Sequence, residues 1–199
     1  MSGTFPTSPN FQALSFQDNR PTLINQTLSG KRQVRQIGGQ YFTFTVSMPP
    51  MEQVEAQAIF AFLQKQKGMF ETFQIGYPLN NKGVSHSETD ILVVGAQSAG
   101  DAAIASDGFS HTNNALRAGD LVKFANHSKV YMVTGDITAS GGAASITISP
   151  PLVTAVADNE AITVNKPQFT VYLSTGEISY TTDASGLYSI SFEVREVVE

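Results

Sequence analysis

Polar and apolar residues alternate along most of this chain, the spacing of a strand with one buried face. In residues 11–17 (FQALSFQ), Phe11, Ala13 and Ser15 fall on one face and Gln12, Leu14 and Phe16 on the other. In residues 41–48 (YFTFTVSM), Phe42, Phe44 and Val46 oppose Tyr41, Thr43 and Thr45. TLINQTL and KRQVRQI share this style and are parted by Ser29-Gly30. Asp18-Asn19-Arg20-Pro21 and Gly38-Gly39 are turn sequences. Together these segments predict one sheet spanning residues 11–77, with residues 1–10, rich in Ser, Thr, Pro and Gly, as an arm or loop.

One stretch changes period. Residues 50–67 predict a helix that starts at Pro49-Pro50, carries Glu52 and Glu55 early and Lys65 and Lys67 late, and stops at Gly68. Met51, Val54, Ala58 and Phe62, flanked by Ile59, Ala61 and Leu63, form its expected buried stripe, so it reads as the one lid on the sheet. Residues 69–78 then return to strand, with Phe70, Thr72 and Gln74 opposite Met69, Glu71, Phe73 and Ile75.

Residues 84–165 differ in composition, rich in Ala, Gly, Ser and Asp, with short strands in ILVVG, LVKFA, KVYMVTGD, ASITISP and AITVN. Regular turn signals between them predict a small β-barrel. After Pro167 the long alternating strands return, without a helix of their own to cover them. The expected organisation is therefore a sheet-plus-helix domain made from residues 1–79 and 167–199, with residues 80–166 inserted at a loop as a barrel domain. The fold class is mainly β: a β-sandwich or split barrel with one packed α-helix and an inserted small β-barrel.

Composition narrows the function. Of 199 residues 41% are hydrophobic and only 15% charged, which marks an ordered chain with an uncharged polar surface or one hidden in an assembly. The net charge of −5 and the lack of a basic stripe argue against nucleic-acid binding; the cations of Lys31, Arg32 and Arg35 make a small patch at most. Without Cys there is no disulfide or thiolate chemistry. No segment reads as a signal peptide or membrane span, so the chain is expected to be made in a cytoplasm and to meet no membrane.

Candidate chemistry is thin. His86, His111 and His127 lack metal-ligand spacing. Asp107, Ser110 and His111 contain the residue types of a triad but no nucleophile elbow. Asp101 with Asp107, or Glu193 with Glu196, are the carboxylate pairs a glycosidase could use. The loop from Gly95 to Gly100 lacks the Lys-Ser/Thr ending of a phosphate loop, and Asp136-Ile-Thr-Ala-Ser-Gly-Gly142 lacks the alternating ligands of a calcium loop. Tyr131 is a weak platform for sugar stacking. No catalytic, cofactor or metal site is expected. Phe60, with Gln57 and Gln64, is instead a candidate subunit contact, because one helix cannot bury both Phe60 and Phe62 equally.

The run RQVRQIGGQYFTFTVSMPPMEQVEAQAIFAFLQKQKGMFETFQIGYP, the stretch LRAGDLVKFANHSKVYMVTGDI and the ending GLYSISFEVREVV together resemble the distal tail, or tail-tip, proteins of tailed bacteriophages. The likeness lies in their order rather than in any single motif. It implies a tail-tube-like sheet-plus-helix domain, a homohexameric ring enclosing a DNA channel, and a position between the tail tube protein and the baseplate hub protein. It further implies contacts to a tape-measure protein or receptor-binding proteins, residence in the virion tail tip, and no enzymatic activity. Related readings are another tail or baseplate component of similar fold (tube, terminator or hub), or a carbohydrate- or receptor-binding module in the inserted barrel.

Overall fold

A computed structural model describes residues 2–78 and 80–198. The expected boundary at residue 79, and residues 1 and 199 at the ends of the expected spans, lie outside the described residues. In chain order the elements are β1 (Ala13–Asn19), β2 (Thr22–Gln26), β3 (Arg32–Gln36), β4 (Tyr41–Ser47), α1 (Gln53–Lys65) and β5 (Phe73–Gly76). There follow β6 (Leu92–Val93), β7 (Ala103–Asp107), β8 (Leu121–Phe124), β9 (Val130–Val133), β10 (Ala144–Ser149) and β11 (Ile162–Thr163). The last are β12 (Gln168–Leu173), β13 (Tyr180–Thr182) and β14 (Tyr188–Glu196). The fold is mainly β, as the alternation predicts.

The main sheet has the order β1-β4-β14-β12-β5, antiparallel throughout, with β13 paired to β14. Its register sets Phe16 opposite Phe44, Phe44 opposite Val194, Leu173 opposite Val194, and Val171 opposite Phe73. Period two therefore gathers Phe42, Phe44, Val46, Phe73, Phe169, Val171 and Val194 on one face, all at most 1% exposed. The opposite face keeps the Thr, Ser, Gln and Tyr positions.

The N-terminal segment is not free. Ser2 N donates to Thr72 O at 2.7 Å and Phe5 N to Gln74 O at 2.7 Å, so the segment runs along the outer edge of β5. Phe5 enters the core against Phe62, Phe73 and Phe192. This covers a sheet edge that would otherwise present unpaired amides. The β1 edge has no such cover among the described residues.

The expected helix stripe needs correction. Met51 lies before the helix and exchanges backbone hydrogen bonds with Tyr188 (3.0 and 2.9 Å), which holds it extended and delays the first helical turn to Gln53. The buried positions of α1 are Ala56, Ile59 and Leu63; Val54 is 78% exposed, and Ala58 and Ala61 also face outward. Phe62 is half-buried, edge-on to Phe73. Apolar spacing alone did not distinguish the two stripes; the burial of Ile59 and Leu63 in the main-sheet cluster does. Residues 69–72 do not continue as strand, and Met69 and Phe70 are exposed because β5 begins only at Phe73.

Residues 22–36 are a second correction. They do not join the sheet: β2 and β3 pair only with each other, and all ten of their residues are exposed.

Strands β6 to β11 form a second sheet in the order β11-β8-β9-β10-β7-β6. A bridge between Leu92 and Ala161, with Ile162 N donating to Ile91 O at 2.9 Å, brings its ends together and nearly closes a barrel. Its core contains Ile91, Val93, Ile104, Val122, Phe124, Tyr131 and Ile146. Strand β7, sequence AIASD, was not foreseen, because Ala and Ser carry little strand preference.

The barrel also faces the main sheet. Leu121 and Val130 are buried in the same apolar cluster as Phe42, Phe44 and Phe169, and Met132 packs against it. Lys123 Nζ donates to Gln168 O at 2.8 Å. The sheet thus has two covers, α1 over one part and the β8–β9 side of the barrel over another, where the sequence predicts the helix alone.

Candidate assembly site

None of the catalytic candidates assembles into working geometry. Glu88, not Asp107, meets Ser110 and His111. Its Oε1 accepts from Ser110 Oγ and from Ser110 N (3.1 Å), and lies 2.8 Å from His111 Nδ1. Ser110 Oγ sits 3.2 Å from that same ring nitrogen. A triad needs serine and carboxylate on opposite nitrogens of the imidazole, so this arrangement is a hydrogen-bonded turn. Burial works to raise the Glu88 pKa, but the donors Ser110, His111 and Ser85 outweigh it and hold it below its ordinary value.

Asp107 ends β7 and Asp101 lies two residues before its start, about 20 Å apart if the chain between is extended. Glu193 and Glu196 point to opposite faces of β14, the first exposed and the second buried. Gly95 N donates to Asp158 Oδ1 at 2.7 Å, which makes the Gly95 loop a turn leaving β6. Tyr131 is fully buried and offers no platform for a sugar. Its hydroxyl accepts from Val153 N (3.1 Å) and meets His127 Nδ1 (2.7 Å), and burial pushes its pKa up to about 12. Among the described residues no group of three His, Cys, Asp or Glu side chains could hold a metal, and no helix is long and apolar enough to cross a membrane.

What the fold does present is surface. The outer face of the main sheet carries Gln17, Asn19, Tyr41, Thr43, Thr45, Glu193 and Arg195. Asn19 Nδ2 donates to Thr43 Oγ1 at 2.8 Å. The Arg195 guanidinium lies 3.6 Å from the centre of the Tyr41 ring, and Glu193 is two residues away on the same strand face. Cation and anion balance, and the rest is hydroxyl and amide.

The outer side of α1 is a second surface. Gln57 and Gln64 are exposed, as a contact requires. Phe60 is half-buried, its ring edge-on to Tyr180 at 5.2 Å, so it is shared with the β13 strand rather than offered freely. The third surface is the β2–β3 hairpin, which sequence reasoning assigned to the sheet.

Two polar clusters went unnoticed in the sequence. Asn81 Nδ2 donates to Leu121 O (2.7 Å) and Val164 O (2.8 Å), while its Oδ1 accepts from Leu121 N (2.8 Å). One side chain thereby ties the chain entering the barrel, the strand β8 and the chain leaving it. Asp120 supports it by accepting from Lys82 N (2.6 Å), Gly83 N (2.9 Å) and Arg117 N (2.9 Å). The other cluster is the ion pair of Lys129 with Glu196, whose carboxylate also accepts from Phe42 N (3.1 Å) and Val130 N (2.9 Å). Neither is a motif; both arise from residues distant in sequence.

Residues 85–169 match the family model of the B domain of distal tail protein pb9. Distal tail protein pb9 of Escherichia phage T5 is 26% identical over 197 residues, with 96% of each chain covered. The order of segments that resembles the distal tail proteins thus has a counterpart along nearly the whole chain. By these two matches the chain is similar to a bacteriophage distal tail protein along nearly its whole length, and to the B domain of that protein over residues 85–169.

Proposed function

We propose that six copies of this protein close into a ring at the tail tip, joining the tail tube protein above to the baseplate hub protein below and enclosing the DNA channel. In this reading residues 1–79 and 167–199 are the ring-forming domain and residues 80–166 an outward domain. The tape-measure protein and receptor-binding proteins are further neighbours. The ring assembles in the host cytoplasm and remains in the virion, and its role is structural rather than enzymatic.

The observation that carries this reading is the outer face of the main sheet. A wall along which DNA must slide should not neutralise phosphates, since each neutralised phosphate releases counterions and adds affinity. The face of Gln17, Asn19, Thr43, Thr45, Tyr41, Glu193 and Arg195 has one cation, stacked on an aromatic ring, and one anion. It gives DNA hydroxyls and amides but no basic track. Closed cyclic symmetry also removes the problem of the uncovered β1 edge, because neighbouring copies cover one another.

Electron microscopy of tail tips tests it: six-fold density of this chain between tube and hub is expected. A different copy number, or a position away from the tube–hub junction, rejects the ring reading.

A further inference from the structure

The β2–β3 hairpin is built like half of an interface. It stands clear of both cores, and its aliphatic side chains are open to water: Leu23 and Ile24 are 60% exposed, Val34 49%, Ile37 59%, and Leu28 at its tip fully so. Ile24 pairs across the strands with Val34, and Leu23 with Arg35. A lone two-stranded hairpin is at best marginally stable in water, and this one has no third strand among the described residues. It also carries Lys31, Arg32 and Arg35, with no carboxylate between Arg20 and Glu52. The rest of the chain has nine Lys and Arg against seventeen Asp and Glu, a net charge of −8.

Position supplies the direction. The hairpin leaves β1 at Asn19, opposite Tyr41 in the register. The other end of that strand pair is Ala13 opposite Ser47, itself beside Ser191. Beyond that end Met51 bridges to Tyr188 and α1 begins. There Val54 is 78% exposed, between the exposed carboxylates of Glu52 and Glu55, and no Lys or Arg occurs between Arg35 and Lys65. A cationic aliphatic arm thus lies at one end of the sheet and an acidic aliphatic helix start at the other. The intervening strand, seven residues long, spans about 23 Å, so the arm does not fold back onto its own helix.

We infer that the β2–β3 hairpin of one copy docks, head to tail, on the outer face of α1 around Val54 of a second copy. The inference rests on the ring reading above and names its contact. Ile24 and Val34 meet Val54, while Arg32, on the same face of the hairpin, approaches Glu52 and Glu55. Such a contact uses two different patches, the heterologous geometry that builds rings when the rotation closes.

The test places a photo-crosslinking benzoylphenylalanine at position 34 in assembled phage tails, with a mixture of isotopically light and heavy chains. Adducts joining position 34 of one chain to residues 53–58 of another are expected. Adducts to any other tail protein, to DNA or to another part of this chain overturn the inference, as does their absence from assembled tails. In parallel, Arg32→Glu is expected to lower the yield of assembled tails about tenfold, and Glu52→Lys with Glu55→Lys to restore it; unchanged yield counts against the contact. Microscopy of the same tails separates the failures: a six-fold ring with adducts elsewhere rejects only the hairpin contact, and tails without that ring reject the ring reading itself.

Discussion

The Lys129 ammonium meets the Glu196 carboxylate where neither side chain is more than 2% exposed. Lys129 comes from the turn before β9 of the barrel, and Glu196 ends β14 on the apolar face of the main sheet. The ammonium also lies 4.3 Å from the centre of the Phe42 ring. Burial draws the Glu196 pKa up and the Lys129 pKa down, and the attraction between the two works against both shifts. Removing one partner leaves a charge in an apolar seam, at a cost of about 3–5 kcal/mol. Glu196→Gln is therefore expected to destabilise the protein by about that much in denaturant unfolding, and Lys129→Met added to it to recover part of the loss. A Glu196→Gln variant as stable as the parent would show that the pair does not hold the barrel to the sheet.

The two stripes of α1 give opposite expectations. Leu63→Ala opens a cavity against the sheet and should cost about 2–5 kcal/mol. Val54→Gln touches no core and should change monomer stability by less than about 0.5 kcal/mol. Calorimetry of both variants separates lid from outer surface, and a large loss at Val54 would return it to the buried stripe.

Asn81 ties the two crossings of the barrel. Asn81→Leu removes three hydrogen bonds and leaves the amide and carbonyl of Leu121 and the carbonyl of Val164 without this partner. A loss of about 1–3 kcal/mol is expected, together with faster protease cleavage at residues 78–88. Cleavage at the parent rate would remove the clamp from the account.

His127 makes the barrel sensitive to mild acid. Burial lowers its pKa, and the attraction of Glu160 only partly offsets this. With the folded value below the unfolded one of about 6.5, its stabilising effect is complete above that pH and is lost as pH falls through the folded value. The melting temperature should fall as pH drops below about 6.5, and His127→Phe should flatten that slope. An unchanged slope assigns it to other groups.

The barrel and the sheet should differ in independence. Strands β6 to β11 have their own core and near-closure, and a piece of residues 80–166 is expected to melt cooperatively alone. With the barrel replaced by a short Gly-Ser link, the remainder loses Leu121 and Val130 from over its aromatic face, and is expected to bind a hydrophobic dye and aggregate. Equal solubility of both pieces would mean that α1 alone is a sufficient cover.

Strand alternation carried the main-sheet strands, because a half-buried strand leaves a period-two imprint on its own residues, and turn signals carried the five apolar strands of the barrel. Strand-like composition misled at residues 22–36: Ile24 and Val34 pair across the hairpin as they would in a core, yet they and Leu23 are exposed. Phe5 was hidden in an arm-like composition, since its burial depends on the edge of β5 rather than on neighbours in sequence. Lys129, Glu196 and Asn81 left no local signal; their roles exist only once the chain has crossed between barrel and sheet. The exposure of Gln57 and Gln64 on α1 was legible, but not the Tyr180 ring that shares Phe60.

The double cover of the main sheet has a consequence for how such a chain can diverge. Strands β6 to β11 fall between β5 and β12 in the chain, yet the β8–β9 side of their barrel is a wall of the main-sheet core. Drift is therefore free on the far side of the barrel and constrained at Leu121, Val130 and Met132, which must keep fitting Phe42 and Phe169. A recombinant that exchanges the barrel between relatives inherits a misfit at that wall unless those positions, and Lys129 with them, travel as a set.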